Sequence, residues 1–115
     1  MTKNHRATGS IYEEKIAAFL KQNGFLILER NYRCKQGEID IIARDGRYLV
    51  FIEVKFRATG STGFSLEAID HRKASRIRNA ALYYLFSHQL SEETPCRFDA
   101  AGIDGETITY IKNAF

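Results

Sequence analysis

The chain has 115 residues, 44% hydrophobic and 27% charged, with a formal net charge of +3, a balance that fits one soluble globular domain and excludes low-complexity or fibrous architecture. Its mildly basic pI near 8.9 is compatible with a nucleic-acid partner. Cys34 and Cys96 are too few for a disulfide framework, match no metal-ligand spacing and suit a reducing cytoplasm, and no apolar run approaches the ~20 residues of a membrane span.

Met1 to Gly9 is polar and basic, with Lys3, His5 and Arg6, and is expected to be a disordered tail preceding a single domain over residues 10–115. A helix is predicted from Ser10 to about Asn23, with Gly24 as its terminator. Tyr12, Ile16, Ala17, Phe19 and Leu20 supply its buried stripe, and Glu13 falls in the same stripe. Ser10-x-x-Glu13 also fits a capping box, in which the glutamate merely satisfies a helix N–H. Both roles for Glu13, cap or site residue, stand at this point.

Phe25 to Arg33 reads as the first strand, and Cys34-Lys35-Gln36 leads into a hairpin centred on Asp45-Gly46. A two-residue turn there sets Ala43 opposite Tyr48, Asp40 opposite Phe51 and Glu38 opposite Glu53. Glu38, Asp40, Phe51, Glu53 and Lys55 then share one face, while Val50, Ile52, Val54 and Phe56 form an apolar row on the other. Opposed carboxylates repel. On a solvated face that repulsion is small, and the hairpin is then simply half exposed. With Ile42 and Phe51 in the same row, the carboxylates are expected to be partly buried and to need a cation, for which Mg²⁺ or Mn²⁺ is suited.

Beyond Arg57, residues 58–63 form a small, Gly- and Thr-containing loop without a phosphate-binding signature. A second helix is predicted from Ser65 or Asp70 to Ser87, its inward register being Leu66, Ile69, Lys73, Ile77, Ala80 or Ala81, and Tyr84. Lys73 interrupts that stripe. It either extends to solvent along its own stem or aims its amine at a phosphate or at the carboxylates. Arg72 and Arg76 flank it; His71 and His88 read as surface residues. Arg97–Ile103 and Thr107–Ile111 are expected to pair through Asp104-Gly105, with Asp99 facing Tyr110 as a structural hydrogen-bonding group. The fold class is α/β, in the order α-β-β-β-α-β-β, a mixed sheet flanked by helices.

Asp40 followed by Glu53-Val54-Lys55 resembles the PD-(D/E)xK nuclease signature. More broadly, Glu13-Glu14, Ala17-Ala18-Phe19-Leu20, Ile27 to Asn31, Gly37 to Asp40, Phe51 to Lys55, Lys73, Arg97-Phe98-Asp99 and Asn113-Ala114-Phe115 resemble the bacterial YraN-type family over about residues 12 to 115. Two departures are Tyr12, where that family usually has glycine, and the missing proline before the Asp40 motif. The resemblance implies a restriction-endonuclease-like core with an extra C-terminal strand, similar to Holliday-junction resolvases. It implies that Asp40 and Glu53 bind Mg²⁺ or Mn²⁺, with Glu13 or Glu38 adding a ligand, and that Lys55 is the catalytic lysine. Lys73, Arg72, Arg76 and Arg57 would then contact phosphates of DNA, branched or single-stranded. Resolvase analogy suggests a homodimer. Two other readings stand beside the metal-dependent endonuclease: a nucleic-acid-binding module without turnover, and an interaction domain that uses its acidic face.

Overall fold

The computed structural model describes residues 2–57 and 69–115, with side chains from Ile11 to Lys55 and from Ile69 onward. The elements are α1 (Thr2–Gln22), β1 (Leu26–Cys34), β2 (Gly37–Asp45), β3 (Tyr48–Arg57), α2 (His71–Ser87), β4 (Cys96–Asp104) and β5 (Thr107–Ile111). They build one sheet in the order β1-β2-β3-β4-β5, antiparallel except where β3 runs parallel to β4. The protein thus has the expected α/β element order and mixed sheet. The loop expected at 58–63, the helix start offered at Ser65 and the inward position expected for Leu66 lie outside the described residues.

Helical backbone begins at Thr2 rather than at Ser10, where the sequence suggested a disordered tail ending at Gly9. Gly9 is the poorest helix former in that segment, and a single glycine costs only about 1 kcal/mol inside a helix. Ser10 is consequently not the N-cap, and the capping-box role of Glu13 disappears. The other end of α1 is as expected. Gly24 takes a φ of 88°, its N–H reaches Lys21 O at 3.1 Å, and Phe25 N donates to Leu20 O at 2.9 Å. That is a Schellman ending, completed by the packing of Phe25 and Leu20 in one cluster. At α2 the cap is Asp70, which accepts a 2.8 Å bond from Lys73 N.

Each helix covers one face of the sheet. Ile16 and Leu20 of α1 pack on Ile41, Ala43, Val50, Ile52, Ala101 and Ile103. Ile77, Ala80, Ala81, Tyr84 and Leu85 of α2 pack on Ile39, Ile42, Leu49 and Phe51. Alternation along β3 therefore feeds two cores, and Phe51 is fully buried beneath α2.

Both hairpins turn one residue later than the Asp-Gly pairs suggested. Asp45 pairs with Tyr48 and Asp104 with Thr107. The central turn residues are thus Gly46-Arg47 and Gly105-Glu106, with the positive φ on each glycine, 62° and 64°. Glycine at the first central position is the type II′ requirement. Cross-strand partners move by two as a result: Ala43 faces Val50, Ile42 faces Phe51, and Tyr110 faces Ala101 rather than Asp99. A shift of two preserves the faces, whereas a shift of one would have exchanged them.

Candidate functional site

The site begins with an irregularity in two neighbouring strands. The β1–β2 ladder pairs Arg30 with Ile41 and Tyr32 with Ile39, passing over Asn31 and Asp40 between them. Asn31 has a φ of 54° inside β1, a left-handed conformation that asparagine tolerates better than most residues. Ile39 packs in the core beneath α2 and Ile41 in the core beneath α1. Two residues apart on a regular strand would share a face, so β2 turns over at Asp40. The β2–β3 ladder ends here, its last pair being Ile41 with Ile52. In place of a further ladder bond, the Asp40 carboxylate accepts a 2.8 Å hydrogen bond from Val54 N.

This break brings Asp40 to Glu53. Glu53 is 5% exposed, and its Oε2 is in direct contact with the Lys73 amine, which reaches in from α2. Burial, reinforced by the charge of Glu53, pushes the Asp40 carboxyl from 3.8 up to about 7, against the opposing bond from Val54. Desolvation acts to lower the Lys73 amine, but the hydrogen bond and charge of Glu53 outweigh it and the net shift is upward. With all three ionised, the group carries one unmatched negative charge.

Lys55 follows Glu53 on the same side of β3 and is half-buried. The adjacent strand contributes only Ala100 beside Glu53 and Gly102 beside Lys55, residues too small to close over either side chain. Sequence reasoning did not use that pair of small residues, although their spacing of two on the neighbouring strand was visible. It also missed the role of Asn31.

The remaining candidates are more scattered. Glu38 is exposed and pairs with Arg33 at 2.6 Å, so the expected Glu38–Glu53 opposition is replaced by an ordinary surface ion pair. Glu13 is half-buried on α1, which packs on the face opposite α2. Among the described residues, no group of three or more His, Cys, Asp or Glu side chains has metal-holding geometry; the carboxylate site is the Asp40–Glu53 pair. Arg72 and Arg76 are exposed on α2, and Arg57 closes β3, its side chain outside the described residues. A cavity of about 290 Å³ is lined by Gly37, Glu38, Lys73, Arg76 and Ile77, sharing Lys73 with the pair. A Cβ on Gly37 would stand 3.2 Å from Arg76 Cβ, so glycine is what lets β2 and α2 approach there.

Asp99 is fully buried and belongs to a separate network. It accepts bonds from Arg97 Nε at 3.0 Å, Asn113 N at 3.0 Å and Tyr110 Oη at 2.5 Å. Arg97 also bonds Asp45 at 2.9 Å. With this many partners Asp99 is structural, as its strand position suggested, and it ties the two hairpins together. The contribution of Arg97 went unseen because its partners lie on two different hairpins.

The model of the uncharacterised protein family UPF0102 matches residues 12–103. The chain belongs to that family. A UPF0102 protein of Lachnoclostridium phytofermentans is 50% identical over 112 residues, 97% of this chain and 95% of its own length. Another from Moorella thermoacetica is 47% identical, covering 90% of this chain and 85% of the relative. One from Legionella pneumophila is 40% identical, covering 93% and 92% respectively. The UPF0102 match contains Glu13, Asn31, Asp40, Glu53, Lys55 and Lys73. Among the described residues, no helix is long and apolar enough to cross a membrane.

Proposed function

We propose that this UPF0102 chain hydrolyses phosphodiester bonds in nucleic acid, DNA above all, with a divalent cation held by Asp40 and Glu53. The observation that carries the reading is the break between β2 and β3, which sets Asp40 beside buried Glu53 with the Lys73 amine against it. The donor set fits Mg²⁺ or Mn²⁺: hard carboxylate oxygens, two in number, leaving the remaining positions to water and phosphate. With Asp40 ionised, the Asp40–Glu53–Lys73 group carries an uncompensated negative charge, which suits a cation as well. When bound, such an ion supplies Lewis-acid polarisation of a phosphoryl oxygen and a more acidic water.

The side chains divide the remaining work. Asp40 is held by Val54 N–H, which fixes the carboxylate without a second flexible partner. Lys55, beside the gap left by Gly102, offsets negative charge that develops on the phosphoryl group. Lys73 neutralises Glu53 in the metal-free protein, and in this reading it contacts flanking phosphates together with Arg72 and Arg76, contacts that fix position rather than sequence.

The test is a thermal melt with increasing Mn²⁺. A cation bound only by the folded state raises the midpoint by mass action. The parent should respond, and Asp40→Asn should melt at the same temperature with and without Mn²⁺. A parent indifferent to millimolar Mn²⁺ and Mg²⁺ would remove the basis of this reading.

A further inference from the structure

α2 has no acidic residue between His71 and Ser87, and its buried side chains are Ile77, Ala80, Ala81, Tyr84 and Leu85. On the opposite side lies a second pattern. At about 100° per residue, Arg72, Arg76, Asn79, Tyr83 and Phe86 fall within one narrow sector of the helix surface. All five are exposed. The stripe starts next to Lys73, whose amine touches Glu53, and ends at Phe86, about 21 Å away at a rise of 1.5 Å per residue. Its chemistry changes along that length, from two guanidinium groups through an amide to two aromatic rings. Tyr83 is 43% exposed and Phe86 79% exposed. The cavity of about 290 Å³ at the basic end is lined by Gly37, Glu38, Lys73, Arg76 and Ile77, room enough for a phosphate, with the one carboxylate there, Glu38, already paired to Arg33.

We propose that this stripe is a track for single-stranded nucleic acid, with phosphates on Arg72 and Arg76 and unpaired bases stacked on Tyr83 and Phe86. It rests on the hydrolytic reading above in one respect, that the strand is led toward the Asp40–Glu53 pair. Three features select this occupant. The absence of acidic residues on α2 makes the helix complementary to a polyanion along its basic half. The aromatic rings, with exposed Leu82 beside them, continue the line begun by the two arginines. A positively charged groove joined to stacking platforms is how proteins bind single strands without reading sequence. A duplex would offer phosphates to the arginines but no base face to Tyr83 or Phe86, because its bases are already stacked and paired.

The experiment measures binding of the full chain, in EDTA, to a labelled mixed-sequence DNA 20-mer, the same sequence as RNA, and the corresponding DNA duplex. The parent should prefer single strands to the duplex, and the DNA and RNA arms identify the polymer. Phe86→Ala and Tyr83→Ala should each weaken single-strand binding by about 5- to 150-fold, the range that corresponds to one lost base stack. Their duplex binding should stay within about twofold, since only phosphate contacts remain there. The chain contains no tryptophan, so Phe86→Trp provides a unique reporter. It should keep parental affinity, and its emission should be quenched by the single strand.

Unchanged single-strand affinity in both alanine variants would overturn the proposal. So would a parent dimer that Phe86→Ala converts to a monomer without loss of single-strand binding; the face would then join two copies of the chain. Cleavage of the same strands with Mn²⁺ in place of EDTA, set beside the binding results, distinguishes the two readings. If Asp40→Asn cleaves as fast as the parent while the aromatic variants fail to bind, hydrolysis at Asp40–Glu53 falls and the track stands.

Discussion

Replacing Asp40 by asparagine should make the metal-free protein more stable, and the gain should depend on pH. The Asp40 carboxyl titrates near 7 in the fold, against 3.8 unperturbed. The sign follows from proton linkage. Between those values the folded state holds a proton that the unfolded chain has released, so stability falls as pH rises from about 4 to about 7. Above 7 the fold carries the whole penalty of a buried carboxylate beside Glu53. A shift of about three units at 1.36 kcal/mol each sets a ceiling near 4 kcal/mol, and sharing of charge with Glu53 brings the expected gain to about 2 kcal/mol. Asparagine has no such titration, and its amide oxygen can still accept the bond from Val54 N. Urea unfolding in EDTA should therefore give equal stabilities for parent and Asp40→Asn at pH 4, and a variant about 2 kcal/mol more stable at pH 8. Parallel curves across that range would mean that the carboxylate is not strained. A variant less stable at pH 8 would mean that the Val54 bond requires the charge.

Lys73→Met should lower stability in EDTA by about 1–2 kcal/mol, because Glu53 is buried while its partner amine is half in water and only part of a buried-pair loss applies; Mn²⁺ should then stabilise this variant more than it does the parent. Asn31→Ala should cost about 1–2 kcal/mol through its φ of 54°, and Asn31→Gly close to nothing. The alanine variant should also lose more of its Mn²⁺ response, which distinguishes a positioning role from simple strain. Glu13→Gln should be neutral in EDTA, since no capping bond depends on it, and should leave cleavage at the parental rate, because α1 packs on the face opposite α2; a several-fold slower variant would return Glu13 to the site.

Much of this architecture could be read from local pattern. Alternating residues of β3 announced one apolar row and one face on which Phe51 stands among charged groups, Gly24 marked the end of α1, Asp70 was one of two starts offered for α2, and the two Asp-Gly pairs located both hairpins. The register was off because each turn needs its glycine, not the aspartate, at the first central position. The faces survived since partners moved by two. What local pattern could not supply was the reversal of β2 at Asp40. It depends on the backbone of Asn31 in a neighbouring strand, and it removes Glu38 from the group while bringing Asp40 to Glu53. Lys73 was visible as an amine in an apolar stripe, but the sequence left its partner open between phosphate, solvent and carboxylate; the structure gives Glu53. The Asp45–Arg97–Asp99–Tyr110 network was largely invisible because it spans two hairpins distant in the chain.

Whether Asp40, Glu53 and Lys55 form a hydrolytic site is decided by single-turnover cleavage at saturating protein, with Mn²⁺ and branched or single-stranded DNA. Lys55 is expected to act where charge develops in the transition state, so Lys55→Ala should slow the reaction on the order of 10²-fold or more while leaving DNA affinity almost unchanged. A Lys55→Ala variant that cleaves at the parental rate, or a parent that cleaves no DNA form with either Mn²⁺ or Mg²⁺, would contradict the account.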